Sequence, residues 1–381
     1  MTAVPARTAT GRDAAAWRAT DLKRDMARWT LRFDDAERAD LLQVLRAAHR
    51  PGRPLLAYRR SDFPFGAAAL GRIRRAIDEV QHGLGVALVK GFPREGVTSE
   101  EFELLTWGVG LHFGVARPQD RMTRYINRVQ DVGTVYRSPT GRGYSSNAEL
   151  DFHVDGADMV LLSCYNQAPV GGDSMCASAI AAWRQLLAER PDLAGVLREP
   201  LPFSCQGEQA EGLPPFRLMP VYGELGNDVF CMWVRNRVEQ GEKLPGAPGL
   251  TAAQREAMDL LDAIVRRPEF MYSMRLEPGD LQILSNFTAL HSRTEFHDAN
   301  APEKKRLLFR LWLATPDSPR LPAGWGGFYE SVDPGVVRGG TYGQHYGDDC
   351  RHFDAEQAQA MGMALAPAHC RPNFPHNQEM T

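Results

Sequence analysis

The sequence has no Cys-x-x-Cys pair; its six cysteines (Cys164, Cys176, Cys205, Cys231, Cys350 and Cys370) are widely spaced. That excludes a zinc knuckle and a dense disulfide framework, and leaves reduced thiols in a cytoplasmic protein as the expectation. Also missing is any uninterrupted apolar run of about 18 residues. The N-terminal stretch MTAVPARTATGRDAAAWRAT lacks the continuous hydrophobic region of a secretory signal, so neither a membrane span nor that export route is expected. Nor is there an excess of positive charge: 44 Lys and Arg against 47 Asp and Glu give a formal net charge of −3. No sequence-wide field is available to neutralise a phosphate backbone or an anionic lipid surface, which argues against nucleic acid and membrane as partners. The short basic run Arg72-Ile73-Arg74-Arg75 sits at helical spacing among Ala, Ile and Leu and reads as a solvated helix face. Internal repeats and low-complexity tracts are absent.

What is present is a chain of 381 residues, 43% hydrophobic and 24% charged, with enough apolar mass to exclude water from a buried site. This suits one elaborated domain over residues 26–365, between a loose N-terminal segment, 1–25, and a loose tail, 366–381. Helical spacing predicts helices over 35–49 and 70–81 that cap a sheet, and Val86-Ala87-Leu88-Val89, bounded by glycines, predicts a buried strand. Thr98-Ser99-Glu100-Glu101 is a capping box that starts a third helix through Phe102 and Trp107. From Tyr125 onward short strand-like runs alternate with turns such as Pro139-Thr140-Gly141, Gly171-Gly172-Asp173 and Glu224-Leu225-Gly226-Asn227, the density of an antiparallel β core. Two helices interrupt it, one from an N-cap at Ser178 to Arg190, the other from Thr251 to Arg267. Later, Leu281-Gln282-Ile283-Leu284 and Arg306 to Ala314 read as strands, and alternation on the second puts Arg306, Leu308, Arg310 and Trp312 on one face. The expected fold is mainly β with flanking α-helices.

The chemistry lies in Glu149-Leu150-Asp151-Phe152-His153-Val154-Asp155-Gly156, where an imidazole and a carboxylate stand two residues apart. In extended backbone both project to one side and can share a metal ion. A surface polar pair at a strand end has the same spacing, so a third ligand is required. His291, just beyond the strand at 281–284, supplies one. Two imidazoles and a carboxylate leave open positions on an octahedral ion, which suits an Fe(II) oxygenase rather than a closed structural zinc site. The remaining histidines, His297 foremost among them, have no comparable context.

The string His153-Val154-Asp155, Gly171-Gly172-Asp173-Ser174, His291 and Arg306…Arg310 resembles the taurine dioxygenase and clavaminate synthase-like family, with smaller echoes at Trp107-Gly108-Val109-Gly110-Leu111 and Pro334-Gly335-Val336-Val337-Arg338-Gly339-Gly340. The resemblance spans residues 86–341. It implies a double-stranded β-helix (jelly roll) holding Fe(II) through His153, Asp155 and His291, with 2-oxoglutarate as cosubstrate and an open position for O₂. It assigns the distal carboxylate of 2-oxoglutarate to Arg306, assisted by the hydroxyl of Ser174, and gives Arg310 to an acidic group of the substrate or to the cosubstrate. Serine at 174 replaces the family's commoner threonine and keeps the hydroxyl. The carboxylate at 155 argues against the halogenating relatives, in which a small residue vacates that position.

The implied reaction is oxidation, with hydroxylation as the default, of an unactivated C–H bond of a small acidic or zwitterionic substrate, with release of succinate and CO₂. Asn147, Tyr144 and Arg235 are further candidates to line the pocket, while Trp183, Trp233 and Trp312 read as core. Two rivals remain: a cupin-like metal enzyme that does not use 2-oxoglutarate, and a non-catalytic ligand-binding barrel. Neither the substrate nor the oligomeric state is legible in the sequence.

Overall fold

A computed structural model describes residues 11–137, 142–209 and 214–366. Its centre is a seven-stranded sheet in the order Thr30–Arg32, Val86–Lys90, Leu281–Ser285, Met159–Asn166, Leu307–Ala314 and Val115–Arg117, with Ile126–Val129 also pairing with Leu307–Ala314. Only the first pair is parallel. All five residues of Leu281–Ser285 are buried, as a short apolar run launched by the turn Glu277-Pro278-Gly279-Asp280 predicts for a central strand. A second sheet of three strands, Met271–Met274, Ser174–Ser178 and Ala289–Arg293, packs against it.

Alternation along Leu307–Ala314 decides which side chains face which layer. Phe309, Leu311 and Leu313 enter a core with the helices Asp35–Ala48, Ala67–His82 and Ser99–Gly110. Leu308 and Trp312 face the other way and share a core with Cys176 and Ala289 of the small sheet. The outer face of the small sheet is covered by Ala179–Glu189 and Ala252–Val265. The predicted caps Thr98 and Ser178 are present, their side chains accepting from backbone N–H groups in the first turns of their helices, and Thr251 does the same for Ala252–Val265. The Glu224–Asn227 turn joins an antiparallel hairpin, Tyr222–Leu225 with Asp228–Cys231. Arg72, expected on a solvated helix face, is half-buried, its guanidinium held by the buried carboxylate of Glu37 at 2.6 Å.

One expectation needs correction. Residues 11–25 are packed rather than loose: Ala19–Arg24 is helical, Leu22 is fully buried, and Trp17 is 2% exposed with its indole N–H donating to the Leu84 carbonyl at 2.7 Å. A single tryptophan and a leucine anchor a segment whose Ala, Thr and Arg content shows no periodicity. The turn at 139–141 and the tail beyond Ala366 lie outside the described residues. Five cysteines, all but Cys370, are described, and all five are buried and unbridged. No helix among the described residues is long and apolar enough to cross a membrane.

Candidate active site

The strand Ala289–Arg293 carries His291 at its midpoint, and His153 pairs with it across an isolated antiparallel bridge. Each histidine donates its backbone N–H to the carbonyl of the other at 2.9 Å, which places both rings on one side with their centroids 4.3 Å apart. Asp155, two residues on, projects to the same side. One ligand atom from each of His153, Asp155 and His291 lies within 4.8 Å of the others, and among the described residues no fourth His, Cys, Asp or Glu joins them.

The surroundings orient these groups. His153 Nδ1 lies 2.8 Å from the Asp151 carbonyl, so Nδ1 carries the proton and Nε2 is left as the electron-pair donor. The Asp155 backbone N–H donates to Asn286 Oδ1 at 3.0 Å. Oδ1 of Asp155 accepts from Arg310 Nη1 at 3.1 Å, while Oδ2, 3.6 Å from His291 Nε2, is buried without a hydrogen bond. Burial raises the Asp155 carboxyl, but Arg310 and the two imidazoles outweigh it and hold the group well below the usual carboxylate range. Burial, reinforced by His291, pushes His153 down to about 4. A neutral imidazole, a neighbouring imidazole and an ionised carboxylate with one bare oxygen are the protonation states a metal ligand set requires.

A cavity of about 140 Å³ opens beside this cluster. Arg306 reaches it from just before the strand Leu307–Ala314, where a bulge at Leu307/Leu308 shifts the register. Its Nε donates to Gln167 Oε1 at 3.0 Å, its Nη1 is buried without a partner, and burial pushes it down to about 10, still charged at neutral pH. Gly172 makes this placement possible. With φ at +76° it adopts a backbone conformation that side chains disfavour, and a Cβ there would meet Arg306 Nε and Gln167 Oε1 at 2.9 Å. Ser174 lines the same cavity and donates to Gln282 Oε1 at 2.9 Å. Arg310 is held by Gln119 Oε1 at 2.8 Å as well as by Asp155.

Two predicted pocket residues lie elsewhere. Asn147 does not line the cavity; its Nδ2 donates to the Phe296 carbonyl at 3.3 Å. Arg235 opens the helix Arg235–Gly241 and turns away to Glu239, Asp259 and Asp262, at 2.7, 2.7 and 2.8 Å. Its neighbours Asn236 and Arg237 enter the cavity instead. Extended alternation stops at Val234, and the carboxylates of the helix Ala252–Val265 capture Arg235. Tyr144 does line the cavity, and so does Trp312, read from the sequence as core only. Sequence reasoning missed Arg142, Arg237 and Arg293. Of these, Arg293 was within reach, since it stands two residues after His291 on one strand and shares its face. His297 is exposed, away from the cluster.

Two imidazoles and a single carboxylate lining one cavity are the donor set of a mononuclear non-haem iron oxygenase. Comparison with known proteins agrees. Residues 48–312 match the model of the taurine catabolism dioxygenase TauD, TfdA family. FR-33289 synthase of Streptomyces rubellomurinus is 30% identical over 302 residues, covering 78% of this chain and 88% of that protein. Uridine-5'-phosphate dioxygenase of an Amycolatopsis species is 28% identical over 192 residues, 48% of this chain and 67% of that one. A solved structure of asparagine oxygenase with Fe(II), 2S,3S-3-hydroxyasparagine and succinate superposes with a TM-score of 0.55 at 18% identity, covering 76% of this chain and 94% of that one. The chain belongs to the TauD/TfdA family. It is an oxidoreductase that uses Fe(II), 2-oxoglutarate and O₂.

Proposed function

We propose that His153, Asp155 and His291 hold the Fe(II), that Arg306 and Ser174 receive the distal carboxylate of 2-oxoglutarate, and that the enzyme hydroxylates a C–H bond of a small acidic substrate. The observation that carries this reading is the pairing of two orphaned groups in one cavity: the bare Asp155 Oδ2 at the cluster and the unpartnered Arg306 Nη1. A buried acceptor and a buried cationic donor each cost free energy unless a ligand completes them. A planar guanidinium matches a carboxylate in a two-pronged contact that lysine cannot reproduce.

Iron held by His153, Asp155 and His291 would supply the activation of O₂, with 2-oxoglutarate as the reductant that leaves as succinate and CO₂. The chain's own residues set the conditions. Asp151 fixes the tautomer of His153, Arg310 keeps Asp155 ionised and turns one oxygen away, and the apolar walls formed by Leu308 and Trp312 exclude water. A metal enzyme that does not use 2-oxoglutarate has no need of an unpaired inward arginine at position 306. A binding barrel has no need of His153 and Asp155.

The arrangement of two sheets, with the site between them, supports a double-stranded β-helix as a single catalytic domain, with the N-terminal segment from residue 11 as part of its packing. The acidic substrate is supported by the cationic lining of the cavity and agrees with the phosphate in the printed name of the Amycolatopsis relative. Five buried, unbridged cysteines support the cytoplasm as its compartment. The test is anaerobic addition of Fe(II), then 2-oxoglutarate, to the purified protein. A weak visible charge-transfer band marks the chelated 2-keto acid; its absence with iron bound would overturn the assignment.

A further inference from the structure

Five guanidiniums line the cavity: Arg142, Arg237, Arg293, Arg306 and Arg310. Among the described residues only two carboxylates contact them. Asp155 meets Arg310, and Glu208 bridges Arg142 and Arg237, the latter at 3.6 Å. The guanidinium of Arg293 is held by three backbone carbonyls, those of Thr294, Ser146 and Ala148, and has no acidic partner; burial pushes it down to about 9. Five cations against two anions leave three positive charges. Loading with Fe(II) and dianionic 2-oxoglutarate changes nothing, because those charges cancel. Burying such a surplus is unfavourable unless the remaining ligand neutralises it.

One of the three charges lies where two guanidiniums sit side by side. Arg142 and Arg237 share the single carboxylate Glu208, which is 4% exposed at its side chain, and otherwise meet only the neutral acceptors Gln206 Oε1 and the Ser204 carbonyl. Burial holds Arg237 below the usual arginine value. Beside them Asn236, 6% exposed and also lining the cavity, keeps its Oδ1 without a hydrogen bond. Two forked cationic donors fit a tetrahedral oxyanion that presents several oxygens, and the Asn236 amide can turn its N–H groups to the same ligand. A monocarboxylate neutralises one charge of the three and a dianion two.

We propose that Arg142 and Arg237, with Asn236, form a substrate subsite for a dianionic phosphate or phosphonate group. The proposal rests on the iron and 2-oxoglutarate assignment above and deepens it, because anchoring this group fixes which carbon of the substrate lies beside the metal.

The experiment is calorimetric titration of the anaerobic Fe(II)- and 2-oxoglutarate-loaded protein with methylphosphonate, and separately with acetate, at a pH where the phosphonate is doubly ionised. Methylphosphonate is expected to bind at least about tenfold tighter than acetate. Arg142→Met and Arg237→Met should each weaken it about tenfold, Arg142→Lys and Arg237→Lys less, and Arg235→Met, outside the cavity, not at all. Retention of the 2-oxoglutarate band shows that each variant is folded. Equal affinity for acetate, or methylphosphonate binding unchanged when Arg142 and Arg237 are both replaced, overturns the subsite. No methylphosphonate binding with the band intact overturns it as well and leaves the iron site standing. Binding without any band in the unmodified protein has the reverse meaning: the subsite stands and the iron assignment falls.

Discussion

Replacing Arg306 by methionine separates binding from folding in a way that few active-site substitutions do. In the free protein this guanidinium is 3% exposed, donates to Gln167 and has no carboxylate on it. A guanidinium held down to about 10 by burial is destabilised in its charged form by roughly 3 kcal/mol relative to water. Methionine removes that cost and keeps most of the apolar contact with Phe296, over which the guanidinium lies at 5.0 Å from the ring centroid. It also strands Gln167 Oε1, a loss of about 1–2 kcal/mol. The protein without cosubstrate should therefore be as stable as the parent, or more so by about 1–2 kcal/mol. Binding moves the other way. Loss of a charge-assisted contact worth about 1.5–3 kcal/mol weakens 2-oxoglutarate roughly 10- to 150-fold, with iron affinity unchanged. Urea denaturation without cosubstrate and anaerobic titration of the visible band measure the two halves. Unchanged 2-oxoglutarate affinity, or destabilisation by several kcal/mol, would refute the reasoning and make Arg306 a structural residue.

Asp155→Ala should abolish both iron retention and turnover, because it removes a ligand and leaves Arg310 facing two imidazoles; metal analysis after gel filtration checks this, and retained iron would count against the triad. Gly172→Ala places a Cβ 2.9 Å from Arg306 Nε at a φ of +76° and should cost about 1–2 kcal/mol of stability together with a rise in the 2-oxoglutarate requirement, read from urea midpoints and succinate release. Trp17→Ala empties a buried site and breaks the hydrogen bond to Leu84, so thermal and urea unfolding should show a loss of about 3–5 kcal/mol with the visible band preserved in the folded protein. A Trp17→Ala protein of parental stability would mean that the N-terminal segment adds nothing to the fold.

The parts of the site that were legible depend on short-range geometry. His153 and Asp155 face one way because extended backbone repeats every two residues, and the same period puts Arg306, Leu308, Arg310 and Trp312 along one wall. Helix starts at Ser99, Ala179 and Ala252 were legible because a capping side chain acts on its own first turn. Arg293 obeys the same two-residue rule from His291 and could have been found by it.

The amino-acid sequence by itself determined the residue types of the His153, Asp155 and His291 cluster, the spacing of the first two and the two arginines after His291, because these follow from local backbone periodicity and from a family pattern. Only the tertiary structure decided that His291 pairs backbone to backbone with His153, that Arg310 braces Asp155, and that Arg142 and Arg237 enter the cavity while Asn147 and Arg235 do not. Arg235 shows the physical reason. Within its own segment only Glu239, four residues on, distinguishes it from Arg237, and its direction is fixed together with Asp259 and Asp262, two carboxylates on a helix that only the folded chain brings beside it.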